Sequence, residues 1–144
     1  MIPSDFLNPV SFQRGISPVA ATDDTALVSQ IIDMGDLLSL TFVIALGTLA
    51  DAAFTTVVLL EESDDSAMSG ATAVADDDMI SMTSGTAAET AAAFTQASDD
   101  LIKTLGYKGT KRYVRLTITP TGNASSLPIA VIAAGVKRLQ GTAN

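Results

Sequence analysis

Cysteine, histidine and tryptophan are all missing from this chain of 144 residues. Without cysteine there is no disulfide, no thiolate metal site and no thiol nucleophile. Without histidine, the commonest general base, zinc ligand and near-neutral pH switch is gone as well. Aromatics are few, five phenylalanines and two tyrosines. Long apolar runs are scarce too. The longest, Leu37 to Ala50, lies between Asp36 and Asp51 and includes Ser39, Thr41, Gly47 and Thr48. A membrane helix needs about twenty mostly apolar residues, so a soluble chain with no membrane partner is expected. The opening Met-Ile-Pro-Ser-Asp has neither a basic region nor an apolar region, so a secretory signal is not expected there.

One sign of charge is missing from the last third. Residues 101–144 contain seven bases and no acid, whereas residues 1–100 contain all sixteen acids and a single base, Arg14. The two parts carry −15 and +7, a split that suggests unlike ends able to meet within a subunit or between neighbours. The net charge of −8 disfavours non-specific binding to nucleic acid or to anionic membrane.

What is present reads as β structure. A chain of this length is normally one domain with a real core. Residues 1–22 hold Pro3, Pro9 and Pro18 with no sustained period, and read as an extended N-terminal arm or edge segment whose Phe6 and Phe12 dock on something. Residues 23–144 read as a single β-sandwich domain. Period-two alternation begins at Ala26 and is clearest from Leu38 to Leu46, with Leu38, Leu40, Phe42, Ile44 and Leu46 on one face. Further strands are predicted over Phe54–Glu62, weakly over Ala71–Ala75, then over Leu101–Leu105, Tyr113–Thr119 and Ile129–Val136. The last is almost wholly apolar, which predicts a central strand or one buried on both faces. Residues 83–100 read as a short helical turn, capped by Thr86 with Glu89, or an irregular loop, and then a strand near Ala92–Gln96. Gly106 to Gly109 reads as a tight turn. Seven or eight strands separated by turns define an all-β fold of β-sandwich or jelly-roll type.

No motif carries chemistry. The acid clusters Glu61-Glu62-Ser-Asp64-Asp65 and Asp76-Asp77-Asp78 lack the spacing of a calcium loop and read as solvated turns. Paired carboxylates in polar turns have nothing to raise a pKa for acid–base work. The segment from Gly106 to Lys111 lacks the spacing and helix of a phosphate loop. No catalytic residue, cofactor site or metal site is assigned, and no enzyme is expected. The basic strand with Lys108, Lys111, Arg112, Tyr113 and Arg115 mixes cations and aromatics. It reads as a face that offers arginine forks to carboxylates of another protein, rather than a nucleic-acid surface, because the rest of the chain would repel a polyanion.

Residues 106–122 read GYKGTKRYVRLTITPTG. Together with LLSLTFVIALGTLADA (37–52) and TTVVLLEESDDS (55–66), this resembles small virion proteins of tailed bacteriophages, of the head-decoration or cement type. The resemblance implies a sandwich that oligomerises, with a trimer favoured. It also implies the major capsid protein as partner, and a place on the capsid exterior of the virion after synthesis in the bacterial host cytoplasm. The expected function is decoration and stabilisation of the capsid shell, with Phe6, Phe12, Lys108, Lys111, Arg112, Tyr113 and Arg115 as contact residues. Two alternatives stand beside it: a head–tail connector or tail component, and a carbohydrate- or cell-surface-binding sandwich.

Overall fold

In the computed structural model, which describes residues 5–138, the alternating segments form two antiparallel sheets packed face to face. The strands are β1 (Val10–Ala21), β2 (Leu27–Val28), β3 (Ile32–Asp33), β4 (Leu37–Leu46), β5 (Thr55–Ser63), β6 (Thr72–Ala73), β7 (Met79–Ile80), β8 (Ile102–Tyr107), β9 (Tyr113–Thr121) and β10 (Leu127–Lys137). The first sheet has the order β1-β10-β4-β8-β7, and the second β2-β9-β5-β6 with β3 also paired to β9. The all-β sandwich expected from the alternation is the fold.

Alternating side chains from both sheets fill the space between them. Leu40, Phe42 and Ile44 of β4 and Leu105 and Tyr107 of β8 face Val114, Leu116 and Ile118 of β9 and Leu60 of β5, all essentially without solvent contact. Burying each such side chain contributes about 1.5–3 kcal/mol, which makes the inner faces the main source of stability.

Several local readings are corrected. Of the arm and edge-segment readings of the N-terminal stretch, residues 10–21 take the second: β1 is an edge strand of the sandwich, paired with β10 from Val10↔Val136 to Ala21↔Leu127, and not an arm apart from the domain. Its register slips at Gly15 and again between Ile16 and Val19. The second slip accommodates Pro18, which lacks a ladder donor and is tolerated at an edge or bulge. At Gly15 a Cβ would sit 2.9 Å from Val131 Cγ1, so only glycine fits the first slip. Ile2 and Pro3 lie outside the described residues, as do residues 139–144 of the expected domain. The predicted strand from Ala26 is broken into β2 and β3. In β4 it is Leu37 that is buried, while Leu38 is exposed, because an extra residue opposite Val136 and Lys137 shifts the start of the strand.

The stretch 83–100 contains a five-residue helix, α1 (Ala88–Ala92), and a 3-10 turn at Gln96–Ser98. The strand expected near Ala92–Gln96 reduces to one bridge, Thr55↔Thr95. Thr86 does not cap the helix. Ala87 occupies the cap position without a side-chain bond, and Glu89 instead accepts from the Leu60 N–H at 2.6 Å. Gly106 belongs to β8, so the tight turn falls at residues 108–112. The apolar strand β10 is central in its sheet, yet only its inner face is buried: Leu127, Ile129, Val131 and Ala133 point inward while Ile132 and Val136 are exposed. No helix among the described residues is long and apolar enough to cross a membrane.

Candidate interaction surfaces

The basic segment sits where β8 turns into β9, and strand pairing brings acids to it. Arg115 lies opposite Glu61 in the β5–β9 register and donates from Nη2 and Nε to Glu61 Oε2 at 2.8 and 3.2 Å. Arg112 grips Asp33 on β3 with two bonds of 3.0 Å, Nε to Oδ1 and Nη2 to Oδ2, while its guanidinium lies 5.3 Å from the centre of the Tyr113 ring. Lys111 pairs with Asp64 at the end of β5. The sorted charges thus meet within one subunit. The arginine forks expected to face another protein are occupied by the chain's own carboxylates.

These pairings set the local electrostatics. Asp33 is held below the usual carboxylate range, first by the Arg112 hydrogen bonds and then by the Gly35 N–H. Asp64 is lowered chiefly by Lys111. The reciprocal effect raises Lys111 and Arg112. Pairs this exposed to solvent contribute little to stability. Arg115–Glu61 is the least exposed of the three, with side chains 30% and 20% accessible. Lys108 is exposed and forms no ion pair among the described residues; its N–H donates to the Asp78 carbonyl at 2.9 Å.

Beneath the turn, Tyr107 is fully buried and points its hydroxyl at Glu62, donating to Oε2 at 2.7 Å and accepting from the Lys111 N–H at 3.0 Å. Burial, and then the adjacent Glu62 carboxylate, push the phenol well above its ordinary value. With Glu61, Glu62 and Asp64 so occupied, and Asp65 accepting from the Ala67 N–H at 2.8 Å, the first acid cluster is consumed by pairing and turn formation. Among the described residues no group of three or more carboxylates is placed to hold a metal ion.

The expected contact residues do not form one patch. Arg115 and Tyr113 lie on the outer face of the second sheet, Lys111 and Arg112 at its rim. Phe12 projects from the outer face of the first sheet, packed against Phe6 with ring centres 5.9 Å apart and planes tilted by 54°, and both rings are exposed, at 51% and 66%. A groove of about 670 Å³ at this end, lined in part by Ser11, Gln13, Asp33, Arg112 and Lys137, separates the two groups.

A surface that sequence reading missed is the outer face of the first sheet. Cross-strand register places Val10, Phe12 and Arg14 of β1, then Ala130, Ile132, Ala134 and Val136 of β10, on that face. Thr41, Val43 and Ala45 of β4 and Ile102, Thr104 and Gly106 of β8 continue it. Arg14 is its single charge. The uniform apolarity of residues 129–136 was the available signal, but a strand covered on both faces has the same composition. The outer face of the second sheet is threonine-rich, carrying Thr55, Thr117 and Thr119 around exposed Val57 and Leu59.

No protein-family model matches the chain, and no curated protein matches it in sequence. Among solved structures, the fold is similar to the crystal structure of PBSX exported protein XepA, with a TM-score of 0.55 and 14% identity. The match covers 93% of this chain and 40% of that one, so this chain corresponds to less than half of the larger protein. At that identity the likeness establishes a shared sandwich architecture.

Proposed function

We propose that this chain is a structural protein of a tailed-phage particle, and within that class a head-decoration or minor head protein that binds the major capsid protein on the shell exterior. The observation that carries the reading is the disposition of its surface. In the basic segment Lys111, Arg112, Arg115 and Tyr107 are spent on ion pairs and hydrogen bonds inside the subunit, with Lys108 left exposed, while both sheets present exposed apolar side chains outward. A rigid sandwich of this kind is suited to contact rather than to catalysis, so the proposal includes no enzymatic step and no cofactor. The segments resembling virion decoration proteins and the similarity in fold to a PBSX exported protein support the same class.

Image reconstruction of the parent particle tests this reading. Density for the sandwich on the outer shell, and loss of heat resistance in particles lacking the chain, are the expected results. Absence of the chain from the purified particle overturns the proposal. A second reading is favoured by the structural neighbour's description as exported: a binding sandwich released outside the cell. It predicts the chain free in the culture supernatant rather than bound to particles.

A further inference from the structure

We infer that the outer face of the first sheet is a homotypic interface, on which a second copy of this chain docks with its Phe6–Phe12 pair seated in the partner's apolar groove. The inference is independent of any role in a virion. Four observations carry it.

The first is charge. The chain has a net charge of −8, so two copies repel through most orientations. The outer face formed by β1, β10, β4 and β8 carries no acid, and its single base, Arg14, stands on the edge strand. There, Gln30, with its carboxamide oxygen turned to it, accepts from Arg14 Nη2 at 2.7 Å. A face almost without charge is complementary to itself.

Relief is the second observation. Along β10 the outward positions alternate between small and large: Ala130, Ile132, Ala134, Val136. Ile132 and Ile102 are 48% and 66% exposed. Such a surface interdigitates with a copy of itself, as the inner faces of stacked sheets do at about 10 Å separation.

The third is a matched knob and groove. The Phe6–Phe12 pair rises beside Ala134 at one end of the face. At the other end lies a shallow, mostly apolar groove of about 480 Å³, its lining including Pro18, Ala20, Ala45, Gly47, Pro128 and Ala130. Both features belong to the same face. A twofold axis lying between two apposed faces, perpendicular to the strands, therefore puts each knob over the partner's groove. The contact is reciprocal and closed, which favours pairs.

Area is the fourth. Four strands about 4.8 Å apart, each about eight residues long at 3.3 Å per residue and turning every second side chain outward, cover roughly 500 Å² in projection. Side-chain relief raises the accessible area above this, towards the roughly 600–1,000 Å² per partner of a standard interface.

Analytical ultracentrifugation of the full chain tests the inference. The expected species at tens of micromolar is a dimer of twice 14.8 kDa. Ile132→Glu and Phe12→Ser are each expected to weaken it by about a hundredfold, while Val57→Glu on the opposite sheet leaves it unchanged. Circular dichroism confirms that each variant is folded. Geometry is tested by cross-linking, because the chain has no cysteine of its own. Leu7→Cys combined with Ala20→Cys is expected to give an oxidised covalent dimer that Ile132→Glu abolishes. The knob and the groove of one copy are too far apart for an internal disulfide. Phe12 and Ala20 pair with Ala134 and Pro128, six residues apart on β10, or about 20 Å, against the 4.4–6.8 Å a disulfide spans. A monomer at about 100 µM, roughly the weakest pairing of interest, overturns the inference. So does a dimer that survives Ile132→Glu and Phe12→Ser and gives no cross-link.

Discussion

Arg115 and Glu61 stand directly opposite each other across the β5–β9 ladder, joined by bonds of 2.8 and 3.2 Å to one carboxylate oxygen. One member comes from the acid-rich first hundred residues and the other from the acid-free remainder, so the polarity of the sequence is neutralised here by strand register. Arg112–Asp33 and Lys111–Asp64 repeat the pattern on either side. The basic segment is thereby a clasp between β9 and its neighbours, and a docking partner meets it already paired.

Because Arg115 and Glu61 are partly shielded from solvent, their coupling should exceed that of an exposed pair. A double-mutant cycle with Arg115→Ala and Glu61→Ala is expected to give a coupling free energy of about 0.5–1 kcal/mol, measured by urea denaturation. The same cycle on the more exposed Lys111–Asp64 pair should give a smaller value. Equal values in the two cycles would show that burial does not govern these pairs.

Tyr107 predicts how the fold responds to alkali. The folded state holds the phenol well above its ordinary value, by burial and by the adjacent Glu62 carboxylate, whereas in the unfolded chain it titrates near 10. A raised acid of this kind contributes stability that is fully present below the unfolded pKa. That stability falls as pH climbs beyond it, because only the unfolded state has lost the proton. The melting temperature should therefore decline above about pH 10. Tyr107→Phe should flatten that decline and, by leaving the Lys111 N–H and Glu62 unsatisfied, cost about 1–3 kcal/mol at neutral pH.

Gly109 extends the same argument. A Cβ there would meet the Tyr107 ring at 2.6–2.7 Å, and the ring is fixed by the core and by its two hydrogen bonds. Gly109→Ala should displace the ring and destabilise the fold by about 1–3 kcal/mol. Combined with Tyr107→Phe, the loss should be less than the sum of the two single losses, since both variants break the same bonds. Thermal melts of the three variants check this, and strict additivity would separate Gly109 from the tyrosine network.

The sandwich was legible where one strand faces core on one side and solvent on the other. Val114, Leu116 and Ile118 alternate in the sequence and are the fully buried row of β9. Legibility failed where a distant partner sets the outcome. Leu37 rather than Leu38 turns inward because of an irregularity in pairing with β10, ninety-odd positions away in the chain. The open face of β10 was hidden by its own apolarity, and the pairing of the arginines was hidden because composition says nothing of which acids lie within reach. The Ala-, Ser- and Thr-rich stretch 83–100 has no period of its own, since its form comes from covering the edge of β5 that the two-residue β6 leaves open.

That edge cover supplies a further prediction. The buried Thr56 hydroxyl accepts from the Phe94 N–H at 2.8 Å and donates to the Phe94 carbonyl at 2.7 Å, so one side chain satisfies both backbone groups of a buried residue. Thr56→Val preserves the shape and removes both bonds, and is expected to cost about 1–3 kcal/mol. Hydrogen exchange should rise at Phe94 and at Leu60, whose N–H is held by Glu89 of α1. Thr56→Ser should leave both protected. Unchanged exchange in Thr56→Val would mean that the segment is held by the Phe54–Phe94 contact alone, whose rings lie 6.2 Å apart.

Acid should loosen the clasp from the other side. Asp33 and Asp64 are depressed by Arg112 and Lys111, and Asp51 by the N–H groups of Ala53 and Ala124. A depressed carboxyl contributes stability that is present above its unfolded value, near 3.9, and is lost as pH falls through the lower folded value. The melting temperature should therefore drop as the pH is taken below about 4. Asp33 is the position at which to test the cause, because the Arg112 fork leads its shift. Carbon-detected NMR titration should place the Asp33 midpoint below the ordinary aspartate value in the native chain, and Arg112→Gln should move it back up without reaching that value, since the Gly35 N–H bond at 2.8 Å remains. A midpoint that does not respond to Arg112→Gln would assign the depression to the turn alone and remove Arg112 from the clasp.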